Sequence, residues 1–474
     1  MSATAEDLAY VPAAQLARLL RAREISPRDL VELYLARIER FDPRLRAFIA
    51  TCPDGARKAA QEAEATLARG DGGPLVGLPF AVKDQFQVRG LPTTAGSRIH
   101  ETRPADEDAT TVARLKTAGA ILLGTLNMSE FALGGTVSFP FGQPRNPWNL
   151  EHHPGGSSGG SGVATAAGLA AFTLGEDTGG SIRGPASHCG VAGLRATWGL
   201  ISRHGSWCAS WSMDVAGPLG RSVDDVALVL GTLAGHDPQD PLTSRRPVPA
   251  YVSALTGDVR GLRIGLIREL VHHDGTDSEV GNAVAEAARV LAGLGAVVED
   301  ISLPSLRWSG AAFMAICDSE AASAHQAWLR TRAGDYDRAT RRRLLTASLL
   351  PTALYHQATR ARARIRAEIA GAFARHDLLL SATQASAAPP VSRDALPVTS
   401  KEEAARRFFG HRSHTTPYSL AGTPAISVPC GFAQGLPVGL QIVGPHFSEA
   451  RVLGTAHAFQ RATDWHTRIP VGYA

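Results

Sequence analysis

Two stretches decide how this chain is read: Pro154-Gly-Gly-Ser-Ser-Gly-Gly-Ser-Gly162 and Gly175-Glu-Asp-Thr-Gly-Gly-Ser-Ile-Arg183. So many glycines permit positive φ angles and close approach of backbone to a ligand, neither of which ordinary packing asks for. The first stretch is flanked by apolar sequence, which argues against a flexible linker. No lysine follows it in the GxxxxGK[ST] pattern, so a phosphate-cradling loop is excluded. A serine-hydrolase site remains. In the second stretch Thr178, Gly179, Gly180 and Ser181 offer four consecutive backbone N–H groups on a small turn, the arrangement that stabilises an oxyanion. Ser181 closes that turn and is placed to attack a carbonyl.

A serine hydroxyl is a weak nucleophile until a neighbouring base takes its proton. His152, His153, His188 and His204 are near in sequence, so a Ser-His-Asp triad competes, although no GxSxG elbow surrounds Ser181. The other candidate is Lys83, at the end of the apolar run Leu78-Pro-Phe-Ala-Val-Lys83. Burial drives a lysine toward its neutral form, which can act as a base. On residue types alone a salt-bridged structural lysine is as good a reading, and both stay open.

The remainder of the chain restricts the function class. Among 474 residues, 44% are hydrophobic and 19% charged, with a net charge of +4, the profile of a globular protein. The basic residues Arg341–Arg343, Arg360, Arg362, Arg364 and Arg366 read as solvated helix faces, so no nucleic-acid partner is expected. Five dispersed cysteines without a CxxC pair point to a reducing, cytoplasmic compartment. The acidic N-terminus lacks the apolar run of a secretory signal, and no segment is long and apolar enough to predict a membrane span.

Residues 1–70 read as a helical layer. Leu16, Leu19 and Leu20 share a face, Ser26-Pro27 forms an N-cap followed by proline, and Leu30, Val31, Tyr34, Leu35 and Ile38 line the next helix. A third helix is expected over Ala56–Ala68. Strands are expected at Leu78–Val82, Ala120–Leu123, Leu262–Ile267, Val297–Ile301, Asp377–Leu380, Ala425–Val428 and Gly439–Val443. The stretch 318–375 reads as helix covering one side of a site, and Gln384–Pro397 as a loop. Without a long linker, 1–474 is taken as a single domain with its catalytic core at 73–240.

Other stretches fix a family. Ile25-Ser-Pro, Arg37-Ile-Glu-Arg40, Pro79-Phe-Ala-Val-Lys-Asp84, Leu91-Pro-Thr-Thr-Ala-Gly-Ser97, Arg145-Asn-Pro-Trp148, Ala421-Gly-Thr-Pro-Ala-Ile-Ser-Val-Pro-Cys-Gly431, Gly435-Leu-Pro-Val-Gly-Leu-Gln-Ile-Val-Gly444 and Thr463-Asp-Trp-His466 join the two serine stretches in resembling the amidase signature family. That family includes bacterial amidases, fatty acid amide hydrolase and the glutaminase component of the glutamyl-tRNA amidotransferase. The resemblance implies an α/β/α sandwich around a large mixed sheet, with N-terminal helices wrapping the core. It implies Ser181 as nucleophile, Ser157 as proton relay preceding an unusual cis peptide, Lys83 as base and Thr178–Ser181 as oxyanion hole. Asp177 and Arg183 would brace the loop, with Ser158 and Ser161 holding loop hydrogen bonds. No metal or cofactor is implied, and family members are often homodimers.

One departure stands out: Glu176 occupies a position where many family members carry a small polar residue, which alters local charge. Another concerns substrate. The amidotransferase members usually place an aspartate that helps hold glutamine five residues before the proline of the segment that here reads His411-Arg-Ser-His-Thr-Thr-Pro-Tyr-Ser-Leu-Ala-Gly422, and that position is Arg412. This favours a stand-alone amidase over the glutaminase of an amidotransferase, with an inactive scaffold as a further alternative. Met128, Phe131, Phe139, Phe141, Trp207 and Trp211 are candidate pocket residues for an uncharged or aromatic small-molecule amide, and Arg412 could bind a carboxylate. The same acyl-enzyme chemistry would serve anilides, esters and carbamates.

Overall fold

The apolar run before Lys83 becomes a strand, Pro79–Lys83, in which every residue is buried and both neighbours run parallel. A strand covered on both faces has no polar side to present, so its sequence reads as an unbroken apolar run rather than an alternation. The computed structural model describes residues 7–100, 102–133, 139–272, 275–391, 400 and 414–473. Among them eleven strands form one sheet: β1 (Phe48–Thr51), β2 (Pro79–Lys83), β3 (Ile121–Leu126), β4 (Phe172–Asp177), β5 (Ala192–Arg195), β6 (Val215–Gly220), β7 (Arg263–Ile267), β8 (Val297–Ile301), β9 (Leu378–Ala382), β10 (Ala425–Ala433) and β11 (Leu436–Val443). Their order is β1-β3-β2-β4-β6-β5-β10-β11-β9-β7-β8. The pairs β2–β3, β2–β4, β7–β8 and β7–β9 are parallel and the rest antiparallel, so the sheet is mixed as expected.

Helices Gly159–Ala166 and Arg183–Cys189 pack on each other and on the central strands. A second set, Val223–Leu233, Ser278–Gly293 and Glu449–Ala462, packs on itself and on β5, β6 and β8 to β11. The cap at Ser26 acts as the sequence suggests, and the structure adds one at Ser222. Ser26 caps the helix Pro27–Leu45 by accepting from the Arg28 N–H, and Ser222 forms a capping box with Asp225. No described helix is long and apolar enough to cross a membrane, and none of the five cysteines forms a disulfide.

Three expectations need correction. The first seventy residues are not helical throughout, because Phe48–Thr51 is β1, an edge strand antiparallel to β3. Four residues between two helices are too few for a period to show. The strands β4, β5 and β6 escape the sequence reading because glycine and proline interrupt them; Gly217 in β6 is there because a Cβ would strike the Leu194 carbonyl of the neighbouring segment. The stretch 318–375 is helical as expected, but it is broken into parts of three helices, Ser309–Thr331, Arg338–Ala347 and Thr352–Phe373. They pack together around a second apolar cluster that includes Phe313, Ile316, Ile365 and Ile369.

The junction of β2 and β4 is held by Phe80 and Phe172, paired in register and stacked with centroids 5.5 Å apart. Phe172→Ala is expected to cost about 3–5 kcal/mol of stability. In urea unfolding this reads as a lowered midpoint at unchanged slope.

Candidate active site

The register that pairs Val82 with Leu174 brings the carboxyl ends of β2 and β4 out side by side. Lys83 ends the first strand and Asp177 the second. In open α/β sheets the carboxyl ends of parallel strands are where ligands bind, since loops can diverge there without breaking the ladder. Here both ends meet the glycine-serine stretch, whose last residues start the helix Gly159–Ala166.

Lys83 is fully buried. Its Nζ donates to Ser157 Oγ at 2.8 Å and to Glu176 Oε2 at 3.0 Å. Burial pushes the Lys83 ammonium toward its neutral form, and the Glu176 carboxylate opposes that push without cancelling it. The cis peptide is present, but it joins Gly156 to Ser157, so Ser157 follows it rather than precedes it. The two serine stretches are tied directly: the Ser158 N–H donates to the Ser181 carbonyl at 3.2 Å. Ser158 Oγ donates to the Glu176 carbonyl at 3.0 Å, and Ser161 Oγ to that of Leu174 at 3.2 Å.

Asp177 organises the turn that follows. Arg183 grips its carboxylate at two points, each 2.9 Å, and Arg195 approaches Oδ1 at 3.2 Å. All three side chains are fully buried. Burial alone would push the Asp177 carboxyl up, but the Arg183 guanidinium and then Arg195 override it and hold it well below the usual carboxylate range. The remaining Arg183 donors reach Gln441 Oε1 at 2.7 Å, and the Thr415 carbonyl and Ser419 Oγ at 2.9 Å each. One arginine thereby ties β4 to β11 and to the helix Thr416–Ala421.

The turn itself differs from expectation in one respect. The Gly180 N–H donates to Asp177 Oδ1 at 2.8 Å, so it is already committed to shaping the turn. Thr178, Gly179 and Ser181 remain as donors for an oxyanion. The two glycines are required. A Cβ on Gly179 would collide with the Phe313 ring, and one on Gly180, whose φ is +124°, with Thr415. Phe313 belongs to Ser309–Thr331, so that helix abuts the turn.

The candidate pocket residues do not all converge. Phe131 and Trp207 join His100, Trp328, His325 and Tyr336 in one aromatic group, with His100 stacked on Trp207 at 4.7 Å. Ser129, two residues before Phe131, donates its N–H to the Ser157 carbonyl at 3.2 Å, which links this group to the serine stretch. Met128 is buried, packed close to Gly96. Phe139 lies 6.4 Å from the His153 ring, Phe141 is half-buried, and Trp211 is 63% exposed. Arg412 lies outside the described residues.

The sequence of the chain matches the Amidase family over residues 29–453. This chain belongs to the amidase family. It is 42% identical to the glutamyl-tRNA(Gln) amidotransferase A-chain component of Roseiflexus sp. (strain RS-1), over 94% of this chain and 95% of that one. Its fold is similar to a protein solved in a vestigial complex that bears on the origins of an s-triazine catabolic enzyme, with a TM-score of 0.88 and 35% identity, covering 95% and 98% of the two chains. It is also similar to a bacterial aryl acylamidase of the amidase signature family, with a TM-score of 0.88 and 30% identity, covering 98% and 99%. The amidase is thus an enzyme of amide C–N bonds.

Three parts of this amidase's site escape the sequence reading. Arg195 ends β5 as Lys83 ends β2, a charge closing a buried strand, and that shared signal could have found it. Asp214 is fully buried just before β6, where it accepts N–H groups from Ala209 and Ser210 at 2.7 and 3.0 Å. Burial, then the charge of Glu176, pushes its carboxyl well above the usual range. Glu176 is visible in sequence as a departure, but nothing there says it touches Lys83.

Asp177→Asn leaves two buried guanidinium groups without their counter-charge, and is expected to destabilise the fold by about 3–5 kcal/mol. Because the Asp177 carboxyl is depressed in the fold, the wild-type advantage should be full above its unfolded value near pH ~3.9 and shrink only as pH falls toward the depressed one. Thermal unfolding of both proteins between neutral and acidic pH measures this.

Proposed function

We propose that the chain cleaves a carboxamide through an acyl-enzyme on Ser181, and that it does so as the amide-hydrolysing component of an amidotransferase-type assembly, with glutamine as ammonia donor. The assembly reading rests on one observation: 42% identity to the corresponding amidotransferase component, spread over 94% of this chain and so far beyond the site alone. Partner chains, rather than a free small-molecule pocket, would then complete the working enzyme.

The chemistry follows from groups already placed. Ser181 Oγ attacks the carboxamide carbon while its proton passes to Ser157 Oγ, and the Ser157 proton passes to Lys83, which lies 2.8 Å away. The carbonyl oxygen, now an anion, is held by the N–H groups of the Thr178–Ser181 turn, and the rigidity that Asp177 lends the turn keeps those donors in position before charge appears. The relay then returns the proton to the departing nitrogen. Water repeats the attack on the acyl-enzyme and releases the acid. Asp177, Arg183 and Ser158 shape the loops and do not touch the reacting atoms.

A second reading is a stand-alone amidase acting on an aromatic or uncharged amide, anilide, ester or carbamate. The aromatic group around Phe131 and Trp207 favours it, as do the likeness to an aryl acylamidase and Arg412 at the position where the amidotransferase members usually carry aspartate.

Purified chain, alone and after co-purification from cells, should be assayed on glutamine and on a panel of aryl amides, esters and carbamates. The proposal expects glutamine hydrolysis that rises when partner chains are bound, and loss of at least about 10³-fold on Ser181→Ala. Full activity of the isolated chain on aryl amides, with none on glutamine in any state, would replace it by the second reading.

A further inference from the structure

Lys83 does not sit in the merely apolar surroundings that would keep a lysine neutral. Glu176 Oε2 lies 3.0 Å from Nζ, with the two side chains 0% and 3% exposed. The other carboxylate oxygen accepts from Thr178 Oγ at 2.8 Å, so Glu176 is fixed at both ends, on Lys83 and on the first residue of the oxyanion turn. A buried carboxylate this close to a base is a strong influence on it, because few solvent dipoles remain to screen the charge.

Other charged groups face the pair. Asp177 belongs to Arg183 and Arg195, and its charge is balanced there. Arg195 also feels Glu176. The Asp214 carboxyl is pushed up by burial and by the Glu176 charge, and Asp214 and Asp177 favour the Lys83 ammonium less strongly than Glu176 does. The Cys208 thiol, raised by burial to about 12, is neutral. Of these carboxylates Glu176 is the one hydrogen-bonded to Lys83, and it bears on the ammonium most strongly.

We propose that Glu176 is a positioning residue that holds Lys83 as an ammonium in the resting enzyme, so that Lys83 must lose that proton before it can act as a base, and that Glu176 thereby sets the pH at which the enzyme becomes active. This rests on Lys83 being the base, as in the function proposed above. Before attack, the Lys83 ammonium gives one proton to solvent water, which leaves the amine beside the Glu176 carboxylate. The balanced pair becomes an amine beside an uncompensated carboxylate, so this loss needs a higher pH than it would with no carboxylate there. Ser181 Oγ then bonds to the acyl carbon as its proton goes to Ser157 and the Ser157 proton to the Lys83 amine. When the amine departs, the relay runs back and the nitrogen takes the proton.

The test uses the rate at which an alkyl fluorophosphonate labels Ser181 across pH, a readout independent of the natural substrate. Removing the carboxylate in Glu176→Gln favours the neutral amine, so the acid limb should move to lower pH by about 1–3 units. A purely structural loss would lower the rate without moving the limb. An acid limb that stays in place or moves upward in a folded Glu176→Gln protein overturns the proposal. Asp214→Asn gives an independent arm. Asp214 bears on Lys83 less strongly than Glu176 does, so its limb should move less than that of Glu176→Gln, and a limb displaced further downward there would put the controlling charge on Asp214 instead. If Lys83→Ala labels at the wild-type rate, the failure lies in the assignment of the base, whereas a silent Lys83→Ala with an unmoved Glu176→Gln limb refutes only the role of Glu176.

Discussion

The buried ion cluster of Asp177, Arg183 and Arg195 is the constraint on which the rest of the site depends. Three charges without solvent are stable only when they pair with one another. Asp177 is met by both arginines and by the N–H of Gly180, and Arg183 uses its remaining donors on Gln441, Thr415 and Ser419. Those partners come from β4, β5, β11 and the helix after Thr415, so satisfying one charge network pins the turn Thr178–Ser181 to several elements at once. The turn then need not reorganise when an anion forms against it, which is what preorganised donors require.

The same few residues show how burial gives two carboxylates opposite states. Asp177 is held toward its ionised form by guanidinium groups, while Asp214, buried and facing the Glu176 charge, is pushed toward its neutral form. Lys83 stands between these regimes, pushed toward neutrality by burial and held back by Glu176. In the proposed relay, the side chain at position 176 therefore governs whether Lys83 is free to take the proton that Ser157 passes on. Its Thr178 contact ties that decision to the oxyanion turn itself.

Much of this was legible in the sequence, and what was not has physical reasons. Lys83 could be found because a charge ending an unbroken apolar run is unusual, and β2 is buried along its whole length. The glycines at 179 and 180 announced close approach, and Phe313 and Thr415 fill the space a side chain would need. Strands β4 to β6 stayed hidden, since their glycines serve close packing between neighbours and erase the apolar pattern. Long-range partners were invisible too: Gln441 and Thr415 are more than two hundred residues from Arg183. Nothing in the residue order signalled that the Gly180 N–H is committed to Asp177. The balance between stand-alone amidase and amidotransferase component turned on relatives rather than on local chemistry, because both share these groups.

At the centre of the proposed chemistry, Ser181 carries the acyl group while Ser157 and Lys83 move its proton. Acid-quenching the protein during turnover of a slowly hydrolysed amide or ester, followed by mass measurement of its peptides, tests this most directly. The predicted result is an added acyl mass on Ser181 in the native protein. An acyl mass found on Ser157 or on a histidine, with Ser181 unmodified, would contradict it.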